Sequence, residues 1–287
     1  MISIDVMGGL GNQLFMIFAT LAYGIQNNTK VVFSTRVFGE RDSYWNTFFN
    51  DLVDFTTEHP DNKVDTNHFV RYNEPSFMYQ PLPHFGEQNV CLHGYYQSYK
   101  YFESVTSIIF QLFHLSVKKE IIREKYRDIF GDNETASMHF RLGDYKTKRT
   151  HHPIMNYEYF EKSLDYIMKH KPAVSRVVYL CEREDNEYVG NQIRQLRDKY
   201  PQLEFVKIDD TIKDYEQLLI MSCCHHNIMS NSTFSWWGAY FNEYVDKVVC
   251  YPSVWFGESY SQYSHKDMML PGWVQIEAAP KPSYLPL

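Results

Sequence analysis

The stretch Met138-His139-Phe140-Arg141-Leu142-Gly143-Asp144-Tyr145 combines residue types that bind phosphate and move protons. It is predicted as the end of a strand that enters a loop, and residues two apart on a strand point to the same face. The guanidinium of Arg141 suits two phosphate oxygens at once, and Gly143 permits a sharp turn behind it. We interpret Arg141, with His139 and Asp144, as a diphosphate clamp beside an acid or base. The alternative is a surface ion pair between Arg141 and Asp144, with a hydrogen-bonded His139 beside it.

A second stretch, Ser230-Asn231-Ser232-Thr233-Phe234-Ser235-Trp236-Trp237-Gly238-Ala239, predicts another place where an anion could bind. Ser232 or Thr233 can cap the helix that follows. The N-terminus of that helix offers backbone donors and the positive end of its dipole, and the hydroxyl groups add further donors. The alternative is an ordinary cap in front of tryptophans that pack in the core, which does not exclude the anion site.

A glycine-rich turn, Gly8-Gly9-Leu10-Gly11-Asn12-Gln13, lies between a strand predicted at 2–7 and a helix marked by apolar residues at helical spacing. A further strand is predicted at 30–34. Glycines let backbone N–H groups approach a phosphate. A dinucleotide-binding fingerprint fits badly, because its third glycine would fall at Leu14 and no acidic residue ends the second strand. A P-loop is excluded because no Gly-Lys-Ser/Thr follows, and a turn that only packs the helix is the remaining alternative.

Beyond residue 131, predicted strands alternate with predicted helices, which argues for a parallel sheet covered by helices. The strands are predicted at 136–140, 177–181, 204–208, 227–230 and 248–251, and the helices at 156–170, 186–199, 212–223 and 234–244. Ligands bind at the carboxyl ends of such strands, and polar clusters fall there at 139–141, 182–185, 209–211 and 230–233. Residues 36–97 are predicted as long loops and short elements, followed by helices at 99–113 and 118–129.

Composition and charge exclude several classes of function. The net charge of −7, without any basic block, argues against a nucleic-acid partner. No run of about 18 apolar residues is present to span a membrane, and the chain opens directly as a strand without the pattern of a signal peptide. Five cysteines without Cys-x-x-Cys spacing indicate small buried residues in a reducing compartment. We therefore predict a cytoplasmic chain, with association at a membrane surface left open.

No cofactor and no metal are expected. The chain has no Asp-x-Asp motif, a spacing of carboxylates that can hold a divalent cation. The pairs His151-His152 and His225-His226 are adjacent, so their rings do not share one face of a helix or strand. Asp144 or Asp5 could serve as a general base, and the residues do not decide between them.

Three stretches in this order, 8–15, 139–145 and 230–240, resemble the alpha-1,2-fucosyltransferases of glycosyltransferase family 11. Tyr251-Pro252 and Leu270-Pro271-Gly272-Trp273 also look like that family, and the resemblance spans about residues 1 to 275. It implies an α/β fold that is GT-B-like, with two Rossmann-like domains facing a central cleft. The implied domains are an acceptor-side domain at 1–130, a GDP-fucose-binding domain at 131–275 and a tail at 276–287.

The same resemblance implies inverting transfer of L-fucose from GDP-β-L-fucose to the 2-hydroxyl of a galactose-like glycan. It implies that Arg141 holds the diphosphate, that His139 positions the nucleotide and that Asn12 faces the donor. The residues predicted to act in catalysis are Arg141, Asn12 and Asp144. Those predicted to bind the donor are Gly9, Gly11, Asn12, His139, Arg141, Asp185, Asn231, Ser232, Thr233 and Phe234.

Two departures from the family pattern leave recognition of guanine open. Leu142 stands where the family often has a second Arg, and Cys181-Glu182-Arg183-Glu184-Asp185 stands where it often has Ser-Asp-Asp. Two other classes of function also stay open. One is a sugar-nucleotide transferase of different linkage or acceptor, and the other is a non-catalytic protein that binds a sugar nucleotide.

Overall fold

The computed structural model describes residues 1–39 and 42–280, and the chain folds into two compact units. The first contains Met1–Ser116 and Ser264–Leu270, and the second begins at Val117, runs to Tyr263 and resumes at Pro271. The chain therefore enters the second unit before residue 130. One reason is Lys119, whose ammonium group is buried and donates to the carbonyl oxygen of Phe241 at 2.8 Å. The predicted tail at 276–287 falls mostly on 281–287, which lie outside the described residues.

A parallel three-stranded sheet forms the centre of the first unit. Strands β1 (Ile2–Ile4), β2 (Val70–Asn73) and β3 (Val90–His93) lie in the order β1-β3-β2. Helix α1 (Leu10–Gln26) follows β1 and is buried along most of its length, because its apolar residues occur on nearly every face. Helix α2 (Thr106–Leu112) is the other α-helix that lies wholly within the described part of this unit.

The strand predicted at 30–34 does not form a ladder. Val31 bridges to Ile2, but two residues later Phe33 bridges to Thr56, so the segment changes partner before a strand can extend. The loops and short elements predicted at 36–97 are found. The helix predicted at 99–113 is found only as 3₁₀ turns followed by α2. The 3₁₀ helices of this unit lie at Asn50–Phe55, Pro60–Asn62, Thr66–His68, Tyr99–Tyr101 and Glu103–Val105.

A six-stranded parallel sheet forms the centre of the second unit, in the order β6-β5-β4-β7-β8-β9. Its strands are β4 (Glu134–His139), β5 (Val174–Leu180), β6 (Glu204–Lys207), β7 (His226–Ile228), β8 (Val249–Pro252) and β9 (Val274–Ile276). Its helices are α3 (Leu115–Lys125), α4 (Arg127–Phe130), α5 (Tyr157–His170), α6 (Asn186–Lys199), α7 (Asp214–Cys223) and α8 (Thr233–Tyr240), of which α3 begins in the first unit. The predicted α/β class, with a parallel sheet in each of two units, is confirmed.

Helix α5 shows how the sequence sets these elements. The side chain of Asn156 accepts a hydrogen bond from the backbone N–H of Tyr159 and so caps the helix. Phe160, Leu164 and Ile167, which are spaced three and four apart, are buried against the sheet. Helix α8 ends at Tyr240 rather than at the predicted residue 244. Strand β9 was not predicted. Among the described residues, no helix is both long and apolar enough to cross a bilayer.

Candidate functional site

The loops that follow β4, β5 and β7 leave the second sheet side by side. Strand β4 lies between the other two, with His139 opposite Leu180 of β5 and Met138 opposite Ile228 of β7. Because the strands are parallel, their carboxyl ends meet at one edge of the sheet. The predicted clusters at 139–141, 182–185 and 230–233 therefore come together there, where ligands bind in open α/β sheets.

The guanidinium of Arg141 is held by two carboxylates and an aromatic ring. Nη1 forms an ion pair with Glu182 Oε1, and Nη2 forms one with Asp144 Oδ1. The guanidinium carbon lies 4.9 Å from the centre of the Tyr145 ring, a cation–π arrangement. The Arg141–Asp144 ion pair, which was the alternative interpretation of this stretch, is present. In this state the fork of donors that suits a diphosphate is occupied by carboxylates of the protein itself.

The backbone next to Arg141 is fixed across the sheet. The N–H of Arg141 donates to Ser230 Oγ at 3.1 Å, and the hydroxyl of Ser230 donates to the carbonyl oxygen of His139 at 2.6 Å. Ser230 is buried, so these bonds are shielded from water. One serine at the end of β7 thereby sets the direction in which the chain leaves β4.

Gly143 and Asp185 shape the loop that follows. Gly143 has a positive φ of 39°, a left-handed conformation that favours glycine, and a Cβ atom there would push aside the Glu182 carboxylate, which would lie 2.3 Å away. Asp185 is buried and accepts from the N–H of Gly143 at 2.9 Å and from Lys146 Nζ at 2.6 Å. Asp185 thus holds the loop in place, and its predicted contact with the donor stays a prediction.

His139 is buried and neutral. Burial, with a smaller contribution from the nearby Arg141 charge, lowers the pKa of His139 to about 3. Its Nδ1 atom has no hydrogen-bond partner within the described chain, and its ring centre lies 5.5 Å from that of Phe234. Buried polar atoms in proteins nearly always have a partner, so an open Nδ1 at this edge suggests a ligand group.

The stretch 230–234 turns from β7 into α8 as predicted. Ser232 is the N-cap, and its Oγ accepts from the N–H of Phe234 at 3.3 Å. The side-chain amide of Asn231 donates to the carbonyl oxygens of Pro153 and Trp255 at 2.9 and 3.1 Å, so Asn231 anchors neighbouring loops. Asn231 Oδ1 has no partner among the described residues. Thr233 and Phe234 remain partly exposed in the first turn of the helix.

In the first unit, the predicted glycine turn is shorter than expected. Helix α1 begins at Leu10, so Gly11 and Asn12 belong to its first turn and only Gly8 and Gly9 form the bend. The reason is that Gly9 already acts as the N-cap, with its carbonyl oxygen accepting from the N–H of Asn12 at 2.9 Å. The cap has no side chain and the first turn has no acidic residue, so the N-terminus of α1 keeps its positive character.

Asn12 is oriented by a residue that the sequence did not indicate. Gln97 Nε2 donates to Asn12 Oδ1 at 2.9 Å. Asn12 also packs across Gly8, where a Cβ atom would lie 2.7 Å from Asn12 Nδ2 and where φ is 77°. Gly9, Gly11 and Asn12 belong to the first unit and the other predicted site residues belong to the second. The contact of Asn12 with a donor stays a prediction.

Four further residues shape these two regions: Glu182, Tyr145, Ser230 and Gln97. In the sequence, Glu182 is part of a departure from the family pattern and Tyr145 ends the stretch 138–145, and neither residue is predicted to contact Arg141. Burial raises the pKa of Tyr145 to about 12, so its hydroxyl stays protonated and donates to the carbonyl oxygen of Asn231 at 3.2 Å. The strand register provides a signal for Glu182. His139 lies opposite Leu180, and Arg141 and Glu182 each follow by two residues, so they leave the sheet side by side.

Within residues 1–39 and 42–280, one group of three potential metal-binding side chains lies close together: Glu182, Glu184 and Asp185. Cations of the protein already contact each of them. Arg141 bonds Glu182, and Lys146 Nζ lies 2.6 Å from Asp185 and 3.5 Å from Glu184. These ion pairs explain why the three carboxylates lie close together without a metal ion.

The sequence of this chain is similar to a family model and to three known proteins. Residues 62–277 match the model of Glycosyl transferase family 11. The chain is 26% identical, over 315 aligned residues, to the O-antigen biosynthesis glycosyltransferase WbnK of Escherichia coli, covering 94% of this chain and 98% of that protein. It is 20% identical to an alpha-1,2-colitosyltransferase of Escherichia coli, covering 94% and 97%. It is 28% identical to a galactoside 2-alpha-L-fucosyltransferase of Caenorhabditis elegans, covering 52% and 41%.

Solved structures that align with this chain include a glycosyl transferase of family 9 from Veillonella parvula DSM 2008, with a TM-score of 0.48 and 9% identity over 96% of this chain and 86% of that one. They also include the NodZ alpha-1,6-fucosyltransferase co-crystallized with GDP, with a TM-score of 0.46 and 11% identity over 83% and 91%. The match to the family model covers most of the chain and includes both stretches that form the edge of the second sheet. The chain is therefore an enzyme of the glycosyltransferase class and belongs to glycosyltransferase family 11.

Proposed function

We propose that this chain transfers L-fucose from GDP-β-L-fucose to the 2-hydroxyl of a galactose-like glycan, with inversion at the anomeric carbon. The observation that carries the proposal is Arg141, whose guanidinium belongs to the carboxyl edge of the second sheet, the edge that also carries the open Nδ1 of His139 and the capped start of α8. The names of the relatives, which include a galactoside 2-alpha-L-fucosyltransferase, support the choice of sugar and linkage.

The proposed reaction requires that the leaving group, GDP, be stabilised. Breaking the bond between fucose C1 and the phosphate oxygen places negative charge on the diphosphate. The guanidinium of Arg141 and the backbone donors at the start of α8 are groups that stabilise such charge. Removing one group of this kind costs about 2.7–4 kcal/mol in the transition state.

Donor binding by this route is an exchange of anions. The carboxylates of Asp144 and Glu182 hold the guanidinium of Arg141 when no donor is bound. A diphosphate carries more charge than either carboxylate and can bond both arms of the fork at once. Neutral His139 and the hydroxyl of Ser232 then offer hydrogen bonds without adding charge. We propose that the second unit binds the donor and that the first serves the acceptor.

A second donor is favoured by one specific observation. The colitosyltransferase matches nearly the whole chain, whereas the fucosyltransferase matches about half of it. Colitose is fucose without the 3-hydroxyl, so the two nucleotide sugars present the same leaving group. We keep GDP-fucose as the first choice and GDP-colitose as the alternative.

One experiment separates these candidates from each other and from a non-catalytic binding protein. Purified protein is given GDP-fucose, GDP-colitose or UDP-galactose with a panel of β-galactosides, and products are resolved by mass spectrometry and NMR. We expect transfer from GDP-fucose, an α-1,2 linkage and no product from the UDP-sugar. Product from GDP-colitose alone would move the assignment to that donor. Absence of any product, with GDP still bound in calorimetry, would overturn the proposed enzyme activity.

The transfer that we propose is independent of metal. The charge that a divalent cation would supply at a diphosphate is provided here by Arg141 and the start of α8. We expect the rate to be unchanged in excess EDTA. A complete loss that is restored by manganese would contradict this part of the proposal.

A further inference from the structure

The guanidinium of Arg141 contacts an uncharged group as well as two carboxylates. Asp144 and Glu182 form ion pairs with its nitrogen atoms, and the ring of Tyr145 lies 4.9 Å from its central carbon. All four residues belong to the second unit, so their contacts lie within one compact body. The three contacts differ in kind, because a carboxylate accepts N–H bonds whereas a ring attracts the cation through its face.

The ring of Tyr145 is fixed at three places. Its hydroxyl donates to the carbonyl oxygen of Asn231 at 3.2 Å, and its backbone N–H donates to the carbonyl oxygen of Leu142 at 2.7 Å. The imidazole of His152 stacks with it, with ring centres 4.6 Å apart and planes inclined by 18°. A ring that is held at its hydroxyl, its backbone and its face has little freedom to follow a moving neighbour.

His152 is held by the same asparagine that holds the tyrosine. The buried side-chain amide of Asn231 donates to the carbonyl oxygen of Pro153, the residue after His152, at 2.9 Å. Asn231 thus fixes Tyr145 through its backbone carbonyl group and the segment of His152 through its amide. Burial lowers the pKa of His152, so its ring is neutral at neutral pH and brings no second cation to Tyr145. The stacked pair is therefore a fixed and uncharged support beside Arg141.

Resting on the proposed function, we propose that Tyr145, supported by His152, is a positioning residue that keeps the guanidinium of Arg141 in place while the donor diphosphate replaces the two carboxylates. The carboxylates compete with a diphosphate, because they carry the same sign of charge and accept from the same N–H groups. The ring of Tyr145 accepts none of those N–H bonds, so it can keep its contact in both states. Tyr145 acts through Arg141 and touches neither the substrate nor the reacting atoms.

The contact between Tyr145 and Arg141 exists with and without a donor, so only the difference between the two states appears in the affinity for GDP. Without a donor, the side chain of Arg141 is 23% exposed, and water weakens the attraction between cation and ring. A bound diphosphate covers the guanidinium, and a cation–π contact is stronger where water is excluded. The ring therefore favours the bound state, and its removal should weaken GDP binding by about five- to tenfold.

The first experiment compares Tyr145→Leu with Tyr145→Phe in the full chain, by calorimetry with GDP and by thermal melts. Tyr145→Leu removes the ring, and we expect the five- to tenfold loss of GDP affinity. Tyr145→Phe keeps the ring and removes the bond to Asn231, so its Tm should fall while its GDP affinity stays within about twofold of the wild type. An equal loss of affinity in both variants would assign the role to the hydroxyl group and overturn the inference.

A second pair of variants tests the support from His152 and leaves the tyrosine in place, so it decides the matter even if Tyr145→Leu does not fold. His152→Ala removes the stacked ring, and we expect about threefold weaker GDP binding, in line with the loss of one aromatic contact. His152→Phe keeps a ring next to Tyr145 and should bind GDP like the wild type. The same GDP affinity in His152→Ala as in the wild type would contradict the role of this support.

The matched control is a stacked pair of the same residue types in the same unit. Tyr166 and His170 lie in α5, with ring centres 4.1 Å apart and planes inclined by 26°. Tyr166→Leu and His170→Ala should lower the Tm and leave GDP affinity and transfer rate unchanged. If Tyr166→Leu weakens GDP binding as much as Tyr145→Leu does, the loss reflects general destabilisation of the unit, and the inference is wrong.

The outcomes separate this inference from the proposed function, because GDP affinity is measured without any transfer. A wild-type protein that binds GDP and transfers no fucose overturns the proposed activity, while the role of Tyr145 is still decided by the affinities. An active wild type whose Tyr145→Leu variant binds GDP as tightly as before overturns the inference alone. A wild-type protein that does not bind GDP overturns both.

Discussion

The two parallel sheets end in polar clusters of different kinds. At the edge of the second sheet, the central group is a cation, Arg141, held by the carboxylates of Asp144 and Glu182. At the edge of the first sheet, the central group is a carboxylate, Asp5, held by His93 and Arg71. The carboxyl edges of the two parallel sheets thus carry clusters whose central groups have opposite charge, although Asp5 follows an edge strand and Arg141 follows an inner one. The first arrangement suits an anionic leaving group, whereas in the second the cations of the protein surround a carboxylate.

The clusters also differ in how completely they are satisfied. In the second unit, buried polar atoms of His139 and Asn231 lack partners among the described residues. At the edge of the first sheet, both oxygens of Asp5 are bonded and Asn12 is bonded to Gln97, although Ser3 Oγ in β1 and Gln13 Oε1 in α1 have no hydrogen-bond partner among the described residues. Open buried atoms indicate a place where a ligand completes the hydrogen bonds, whereas satisfied ones indicate a region organised in advance. The comparison predicts large losses of activity when the cation is changed and smaller ones when supporting residues are changed.

The largest effect is expected at Arg141. Arg141→Ala should lower kcat by about 10²–10³-fold or more, because the leaving diphosphate loses a charged donor. Arg141→Lys should recover little, since an ammonium cannot bond two phosphate oxygens in the same geometry. Initial rates at saturating GDP-fucose, paired with thermal melts, measure both. Arg183, an exposed arginine in the loop after β5, is the control, and Arg183→Lys should keep the wild-type rate.

Retention of more than about a tenth of the rate in Arg141→Lys, a loss under roughly 1.4 kcal/mol, would contradict the clamp. So would a variant that melts at lower temperature while its folded fraction keeps full activity, because that result describes a structural arginine. In either case the cation at the centre of the second cluster would serve only to join its two carboxylates.

The second effect concerns stability and comes from His139. Its folded pKa is about 3 and its ordinary value is 6.5, so between these values the unfolded chain binds more protons. The free energy of unfolding therefore falls as pH decreases through this range, with a slope from this residue of about 1.4 kcal/mol per pH unit. His139→Asn cannot titrate there. Urea melts of both proteins between pH 6.5 and 4.5 should show the shallower dependence in the variant, and parallel curves would contradict a buried neutral His139.

Much of the fold could be predicted from local patterns. The helix predicted at 186–199 is found as α6 with the same bounds, because its apolar residues recur at helical spacing and its ends carry clear polar signals. The strand predicted at 30–34 was wrong, since a short apolar run does not show which partner each residue meets. Strand β9 has three residues, too few for a pattern, and its place depends on pairing with β8.

The local parts of the candidate site could also be predicted, but the long-range contacts could not. His139, Arg141 and the Ser232 cap are local signals, and the structure puts them together at one edge. Glu182 and Gln97 could not be assigned their partners, because those contacts span 41 and 85 residues and depend on strand register and loop path. The residue types in a short stretch predict which group binds a charge. Which residue it contacts in the fold depends on the topology, which the stretch does not contain.

The third effect tests whether Gln97 positions Asn12. Gln97→Met keeps the size of the side chain and removes the donor to Asn12 Oδ1. If Asn12 contacts the donor, kcat/KM for GDP-fucose should fall by about tenfold, the loss of one hydrogen bond that holds a binding group. Gln26 is an exposed glutamine at the end of α1 that donates to Ser104 Oγ at 2.9 Å, so Gln26→Met removes a comparable bond as the control. Equal effects in the two variants would show that Gln97 contributes only to stability.

The smallest effect is expected at Glu182, and its direction is the informative part. Glu182→Gln removes one of the two charges that compete with a diphosphate for Arg141, so GDP should bind about threefold more tightly, in line with the small net contribution of partly exposed ion pairs. Glu184 lies two residues further on, is 63% exposed and faces Lys146 at 3.5 Å, so Glu184→Gln removes the same charge from the same loop without touching Arg141. Calorimetry with GDP should show the gain in Glu182→Gln and a smaller change in Glu184→Gln. If both variants bind GDP more tightly by the same factor, the gain comes from the lower negative charge of the loop and not from release of Arg141. If Glu182→Gln binds GDP more weakly, the carboxylate orients the guanidinium for the diphosphate instead of competing with it, and the anion exchange proposed for donor binding is wrong.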